Sequence, residues 1–196
     1  MQVILASESP RRKYLLSSIG FSYESYTPNV DESILEGETP TAICSRLSIL
    51  KAKSASEQFP EALIIAADTL VIVDDKIFGK PCDADEAKLM LSTLSGREHM
   101  VITGVTIIYN GVTLTESEST VVHFRKLSEC DIEAYISTGE FSGKAGAYAI
   151  QGYGSLIIEC IEGDYFNVVG LPLQMLSKML EKIGIDFEEQ LNMGVK

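Results

Sequence analysis

The stretch ALIIAADTLVIVDDKIFGKP at residues 62–81 decides the fold of this chain. Its apolar run is rich in β-branched residues and bounded by polar or turn residues, which predicts a buried strand, although a buried helical segment gives a similar pattern. Asp74 and Asp75 predict a turn after it. Asp68 interrupts the run, and a carboxylate inside a core strand is unfavourable unless a metal, a cation or a reacting water compensates it. The alternative is an aspartate that only caps a loop at the strand end.

Upstream, residues 2–20 predict a short buried strand followed by a helix, because the Ser-Pro pair at 9–10 is typical of a helix start. Ser7, Arg11 and Arg12 then lie around the helix N-terminus, where free backbone N–H groups and the helix dipole favour an anion. Two arginines are unfavourable there on dipole grounds. Either they bind an anionic ligand or they are simply solvated.

Residues 21–38 predict a mostly polar loop with Glu32 near its middle. Thr39 and the proline after it predict a helix that runs to about Phe59. Lys51 lies in the second half of that helix, where the dipole alone would explain a cation. Lys80 lies between two turn residues, as a site that needs a fixed cation would require, although this spacing is weakly specific.

Further elements follow from caps and periodicity. They are helices over 83–96, 128–139 and 172–184, and strands over 99–109 and 112–124 joined by a turn at Asn110-Gly111. The glycine-rich segment 139–154 predicts turns around a short strand, or a close backbone approach to a flat ligand. The tail beyond residue 184 is expected to be a surface appendage. The predicted order, β-α-α-β-β-α-β-β-α-β-β-α, indicates a mixed α/β sheet with helices packed on it.

Composition limits the possible functions. A chain of 196 residues forms one large domain or two small lobes, and its net charge of −12 disfavours binding to nucleic acid. No apolar run approaches the about eighteen residues of a membrane span, and basic residues follow the first apolar residues rather than preceding them, so we expect a cytoplasmic protein. The four cysteines are far apart and are expected to be buried thiols. The two histidines, His99 and His123, are expected to be packed or exposed rather than catalytic.

Six of the charged residues, taken together, suggest one reaction. They are the cations Arg11, Arg12, Lys51 and Lys80 and the carboxylates Glu32 and Asp68. Hydrolysis of a nucleoside triphosphate requires such a set, because cations offset the phosphate charge, carboxylates hold a divalent metal such as Mg²⁺, and one carboxylate orients or deprotonates water. The sequence has no Walker loop, no glycine loop of the kinase type and no G-x-S-x-G elbow.

Seven segments carry a family resemblance. They are LASESPRR at 5–12, VDE at 30–32, AADT at 66–69, GKP at 79–81, SGREHMVITG at 95–104, KAGAYAIQG at 144–152 and VVGLP at 168–172. In this order they resemble the motifs of the Maf family of nucleoside triphosphate pyrophosphatases. The resemblance implies a single Maf-like domain over residues 1–196 with the fold of inosine triphosphate pyrophosphatases, in which two α/β lobes around an elongated mixed sheet enclose a substrate cleft. It also implies a cytoplasmic enzyme that needs Mg²⁺ or Mn²⁺ and cleaves between the α- and β-phosphates.

The resemblance further implies residue roles. Asp68 resembles the proton acceptor and, with Glu32, the metal-binding pair; Lys51 and Lys80 complete the catalytic set. Ser7 and Arg12 match polar residues around the phosphates. Arg11, Thr69 and Gln151 match the positions that separate subtypes, and Arg, Thr and Gln are the pattern of the subtype that acts on dTTP and UTP. The subtype that acts on 7-methyl-GTP tends to have Trp, Gln and Glu.

Two other functions stay open. One is a non-catalytic nucleotide sensor that regulates septum formation, and the other is a pyrophosphatase selective for purine nucleotides or 7-methyl-GTP. Expected partners are the nucleotide substrate and a second copy of the chain, since two-fold dimers are the commonest assembly. Neither nucleic acid nor a membrane is an expected partner.

Overall fold

The computed structural model describes residues 1–74 and 76–193. Its strands are β1 (Val3–Ala6), β2 (Glu24–Tyr26), β3 (Leu63–Val73), β4 (Lys76–Phe78), β5 (Glu98–Tyr109), β6 (Val112–Phe124) and β7 (Ile158–Glu162). Its helices are α1 (Pro10–Ser18), α2 (Pro40–Gln58), α3 (Ala84–Leu94), α4 (Glu129–Ser137), α5 (Tyr165–Val169), α6 (Leu173–Lys182) and α7 (Phe187–Asn192). Asp75, half of the predicted turn after β3, lies outside the described residues, whereas Asp74 has the positive φ of 47° that a tight turn requires.

The strands form one mixed sheet in the order β2-β1-β3-β5-β6-β7, with β4 paired to β3. β1 runs parallel to both β2 and β3, whereas β3 with β4 and β6 with β7 are antiparallel. The predicted mixed α/β sheet with flanking helices is therefore confirmed. The central stretch of the sequence is the eleven-residue strand β3, and its helical alternative is wrong.

Internal contacts divide the chain into two compact units. The first comprises Met1–Asp68, Thr103–Glu118 and Gly170–Lys196, and the second comprises Thr69–Ile102 and Ser119–Val169. In the first unit, Ile4 of β1 and Ile64 of β3 pack in one apolar cluster with Ala52 and Ala55 of α2. Because alanine side chains are short, α2 lies close to the strands.

In the second unit, β3, β5 and β6 contribute apolar residues to a core shared with α3 and α4, including Val71, Leu91 and Phe124. His99 is buried in this unit, and its Nε2 lies 2.7 Å from the Tyr148 hydroxyl. Its ring also makes edge-to-face contacts with Phe124 and Tyr148. The expectation that His99 is a packed residue is confirmed.

Three local features of the structure differ from the predictions. β2 lies within the predicted polar loop, because a three-residue exposed edge strand has no apolar pattern to detect it by. The strand predicted within 139–154 is replaced by two short 3₁₀ helices at Ala145–Ala147 and Gly152–Leu156, where several glycines adopt positive φ. The helix α5, which follows β7, was not predicted.

The tail is not a simple surface appendage. Within the described part of the tail, Phe187–Asn192 form α7, and both Ile185 and Gln190 are buried. The Gln190 amide donates to the backbone oxygens of Ser177 and Ile185 at 3.2 and 3.1 Å, and thereby joins α7 to α6. A short helix of this kind is held by hydrogen bonds rather than by a long apolar face. The sequence therefore shows no apolar periodicity from which its packing could be predicted.

The thiols also differ from expectation, because only Cys44 is buried, whereas Cys82, Cys130 and Cys160 are exposed. The residues that flank a cysteine do not show whether its thiol is exposed, so the sequence did not distinguish surface cysteines from buried ones. Among the described residues, none of the helices has the length and apolar character needed to cross a membrane.

Candidate active site

Asp68 lies in β3 and is only 8% exposed. The buried side chain of Lys51 reaches it from α2, and Nζ donates to Asp68 Oδ1 at 2.6 Å. A buried carboxylate is stable only when it is paired, and Lys51 supplies that partner. Of the three compensating partners considered for Asp68, a metal, a cation or a water, the structure shows a cation.

The position of Lys51 follows from local rules and then from packing. Thr39 caps α2 by accepting a hydrogen bond from the Ala42 amide at 3.3 Å, and Pro40 is the first helical residue. Ala52 and Ala55 then pack against residues of β1 and β3, which brings the helix close to these strands. Lys51, next to this contact face, therefore lies within reach of the strand that carries Asp68.

Glu32 approaches the same lysine from the loop between β2 and α2. Its Oε1 lies 2.9 Å from Lys51 Nζ, and its side chain is 53% exposed. One ammonium group thus contacts two carboxylates that are 36 positions apart in the sequence, at 32 and 68. Three of the residues predicted for catalysis therefore converge.

Arg12 is held beside the end of β1. Its Nε donates to the Gly170 carbonyl at 2.7 Å, and one terminal nitrogen donates to Ser7 Oγ at 3.2 Å. Burial lowers the pKa of the Arg12 guanidinium, and the negative charge of Asp68 opposes that effect. The buried guanidinium therefore contributes positive charge next to the carboxylate of β3.

Ser7 is oriented by the residues that follow it. Its hydroxyl oxygen accepts from Arg12 and also from the Ser9 amide at 3.2 Å. Ser9 precedes α1 but makes no capping hydrogen bond with its own side chain, so the predicted cap is wrong in that detail. With two bonds accepted, the Ser7 hydroxyl has its hydrogen to offer, which suits an acceptor such as a phosphate oxygen. Arg11 is half-buried on the first turn of α1.

The other predicted residues lie in the second unit. Lys80 is exposed in the segment after β4, and Thr69 is half-buried in β3. Gln151 is half-buried just before the second 3₁₀ helix. The carboxylate of Glu140 accepts from the amides of Tyr153 and Gly154 at 3.1 and 2.8 Å, which fixes the turn that follows Gln151.

Two groups that contact the candidate site residues or their loop, Arg46 and the Gly170 carbonyl, were not predicted from the sequence. Arg46 lies on α2 and binds Glu38 and the Ser33 carbonyl beside Glu32. The sequence does show an acidic residue, Glu38, just before the predicted helix and an arginine, Arg46, on its second turn. This pattern is also common in helices that carry no functional site, so it did not indicate one here. The role of Gly170 had no signal, because a backbone carbonyl is present at every position.

The carboxylates fit a hard divalent cation. Carboxylate oxygens are the ligands that Mg²⁺ prefers, and Mg²⁺ is commonly held by one or two carboxylates together with substrate phosphates. Glu32 and Asp68 already converge on one cation, the Lys51 ammonium. Within residues 1–74 and 76–193 no group of three or more His, Cys, Asp or Glu side chains could hold a metal, so this pair would need phosphate oxygens to complete the coordination.

Known proteins resemble this chain over nearly its whole length. A dTTP/UTP pyrophosphatase of Symbiobacterium thermophilum is 45% identical over 183 residues, which cover 93% of this chain and 94% of that protein. Proteins of the same name from Clostridioides difficile and Pyrococcus furiosus are 47% and 46% identical, and each match covers at least 92% of this chain and 94% of the relative.

The solved structure of the Staphylococcus aureus Ham1 protein matches with a TM-score of 0.55 and 14% identity, over 93% of this chain and all of that one. This likeness concerns the fold alone, and it confirms the predicted fold class. The model of the family described as Maf-like protein matches residues 2–183. The chain therefore belongs to the Maf-like protein family.

Proposed function

We propose that this protein hydrolyses dTTP and UTP to the nucleoside monophosphate and pyrophosphate, and that residues 1–196 act as one Maf-like domain. The observation that carries the proposal is the contact of one buried ammonium, Lys51, with both Glu32 and Asp68. The names of the relatives, all dTTP/UTP pyrophosphatases, support the choice of substrate. The cytoplasmic location stays a prediction.

Asp68 is the proposed general base. Its Oδ1 is engaged by Lys51, so we assign Oδ2 to the attacking water. A base of this kind contributes about 10²–10⁴-fold to a rate when it is correctly placed. Lys51 holds the carboxylate in one orientation, and its positive charge stabilises negative charge that develops as the phosphoanhydride breaks.

Ser7, Arg11 and Arg12 are proposed to bind the phosphates. The Ser7 hydroxyl donates to a phosphate oxygen, and Arg12 stabilises phosphate charge while Gly170 and Ser7 keep it oriented. The N-terminus of α1 favours the same anion, and this resolves the conflict between Arg11 and the helix dipole. Lys80 is proposed as an additional cation for the phosphates, on the family resemblance alone.

Glu32 and Asp68 would hold the divalent cation, Mg²⁺ or Mn²⁺. When bound, such an ion offsets phosphate charge and polarises a phosphoryl oxygen. The exposed position of Glu32 leaves room for water and phosphate ligands, which Mg²⁺ retains in most sites.

Pyrimidine selectivity is proposed to come from Arg11, Thr69 and Gln151. The Gln151 amide offers a donor and an acceptor, which match the O4 and N3–H edge of uracil or thymine. Glutamate offers only acceptors and suits the N–H donors of guanine. We therefore expect Gln151→Glu to reduce the preference for UTP over 7-methyl-GTP, measured as the ratio of kcat/KM values. An unchanged ratio would contradict this role.

The decisive experiment is a substrate panel with Mg²⁺ or Mn²⁺, comparing dTTP, UTP, ITP and 7-methyl-GTP and detecting pyrophosphate. We expect turnover with dTTP and UTP, reduced by about 10²–10⁴-fold in Asp68→Asn. The matched control is Asp74→Asn. The Asp74 carboxylate lies just beyond the same strand and pairs with Arg97, so this variant should keep its activity. Binding without release of pyrophosphate would indicate a sensor, and preference for ITP or 7-methyl-GTP would indicate the purine-directed alternative.

A further inference from the structure

The loop that carries Glu32 has few apolar contacts to hold it. From residue 22 to residue 42 no side chain is buried, and Ile34 and Leu35 are more than half exposed. Glu32 itself is mostly exposed, yet it must stay within reach of Lys51 if the two carboxylates are to act together. Polar contacts therefore have to define the position of this loop.

Arg46 supplies those contacts from α2. Its Nε and one terminal nitrogen donate to the two oxygens of Glu38 at 2.6 and 2.7 Å, and the same terminal nitrogen donates to the Ser33 carbonyl at 2.9 Å. Paired hydrogen bonds from a guanidinium to a carboxylate are strong and directional. Arg46 therefore joins α2 to the residue that follows Glu32.

The loop completes this arrangement with its own backbone. The Leu35 amide donates to Glu38 Oε2 at 3.0 Å, and the Ser33 amide donates to Asp31 Oδ1 at 2.9 Å. The bonds from Arg46 lower the pKa of Glu38, which keeps that carboxylate charged over a wide pH range. Ser33 and Glu38 are thus fixed relative to the helix that carries Lys51, and Asp31, on the other side of Glu32, is joined to them through the Ser33 amide.

We propose that Arg46 is a positioning residue that, through Glu38 and Ser33, holds the Glu32 loop where the Glu32 carboxylate meets Lys51 and the divalent cation. This inference rests on the proposed function for its consequence in catalysis, but the contact network itself does not depend on it. A lysine at position 46 keeps the charge and loses the fork geometry, so Arg46→Lys tests position rather than charge.

The first readout needs no activity. Hydrogen–deuterium exchange of residues 31–38 should be at least about 10-fold faster in Arg46→Lys than in the unmodified protein, because opening of the loop becomes less costly. Glu38→Gln breaks the same fork from the other side and should give the same result. The two changes together should add little to either alone, because they remove one shared interaction.

The second readout uses catalysis. Loss of a residue that orients a metal ligand typically costs about 10–100-fold in metal affinity or activity. We expect Arg46→Lys to raise the Mn²⁺ concentration for half-maximal activity about 10-fold, with kcat largely recovered at saturating Mn²⁺. A merely structural role would lower stability without this recovery.

Arg125 provides the matched control. It binds both oxygens of Asp131 at 3.2 Å and a backbone carbonyl, that of Leu156, at 2.9 Å, but it lies in the second unit. Arg125→Lys should leave exchange at 31–38 and the Mn²⁺ requirement unchanged. A folded Arg46→Lys protein with unchanged exchange and unchanged Mn²⁺ dependence would overturn the proposal. If the unmodified protein hydrolyses no nucleotide, the proposed function fails, and the exchange result still decides whether Arg46 holds the loop.

Discussion

At the scale of single residues, Lys51 connects the two carboxylates of the candidate site. Its ammonium group is buried and contacts Asp68, which is also buried, and Glu32 at the solvent edge. A buried pair of this kind adds little net stability compared with apolar packing, but removing one partner leaves an uncompensated charge. A gain in fold stability therefore does not by itself account for this arrangement, which is consistent with the proposed role of the three residues in catalysis.

Lys51→Met should therefore lower the free energy of unfolding by about 3 kcal/mol, because Asp68 loses its cation. Urea unfolding measures this loss. Adding Asp68→Asn should restore part of it, because the neutral amide no longer needs a cation. If the double variant loses as much free energy of unfolding as the two single variants lose in sum, Lys51 and Asp68 do not interact as described.

His99 gives a prediction that depends on pH. Burial, aided by the charge of His123, lowers the pKa of His99 from 6.5 to about 4. The neutral imidazole stabilises the fold above about pH 6.5, and that contribution is lost as the pH falls towards 4, because only the unfolded chain takes up the proton. The loss approaches about 3 kcal/mol.

Unfolding free energies measured between about pH 7 and pH 4 should show this dependence. A variant with His99→Phe and Tyr148→Phe removes both hydrogen-bonding partners and keeps the aromatic packing. Its unfolding free energy should fall less over the same range. Equal slopes for the two proteins would show that His99 does not titrate in this way.

At the scale of elements, the close approach of α2 to β5 positions the helix that carries Lys51. A Cβ on Gly104 would lie 2.6 Å from the carbonyl atoms of Cys44 and 2.9 Å from the Ser45 amide nitrogen. Backbone atoms cannot move aside as a flexible side chain does. Ser48 of the same helix also shares a buried hydroxyl contact of 2.8 Å with Thr106 of β5.

Gly104→Ala should consequently destabilise the protein by about 1–3 kcal/mol, as overpacking in a close-packed region does. Thermal or urea unfolding measures it. Gly79→Ala is the control, because no atom lies within 4 Å of a Cβ built there and its backbone has an ordinary φ. Equal stability of the two variants would mean that α2 can move away from β5 without a loss in the free energy of unfolding.

At the scale of the whole molecule, charge determines how a polyanion can bind. The chain carries a net charge of −12, so its overall field repels a nucleoside triphosphate. The proposed binding of a triphosphate therefore relies on the local cations of the first unit, Arg11, Arg12 and Lys51, and on the proposed divalent ion. The predicted homodimer stays a prediction, and sedimentation would test it by a mass twice the chain mass of 21.4 kDa.

Removal of divalent cations is expected to abolish turnover. EDTA should stop release of pyrophosphate, and added Mg²⁺ or Mn²⁺ should restore it, because the single charge of Lys51 cannot offset both carboxylates and the triphosphate. Spermidine at matched ionic strength is the control for charge screening alone. Activity that persists in EDTA would contradict metal dependence.

The sequence by itself determined the local elements. Caps such as Thr39 and Ser128, the apolar run of β3 and the turn at Asn110-Gly111 act over a few residues, so their energies can be read from neighbours in the chain. The resemblance of ordered motifs also named the family and the candidate residues. Where local signals were weak, in β2 and the glycine-rich segment, the predictions were wrong.

Only the tertiary structure decided how the site residues meet. Lys51 contacts Glu32 and Asp68 because α2 packs on β1 and β3, and Arg12 is oriented by the carbonyl of Gly170, which is 158 positions away in the chain. Such contacts depend on the order of strands and on packing between segments that are distant in sequence. No local pattern encodes them, because their energy exists only once those segments have come together.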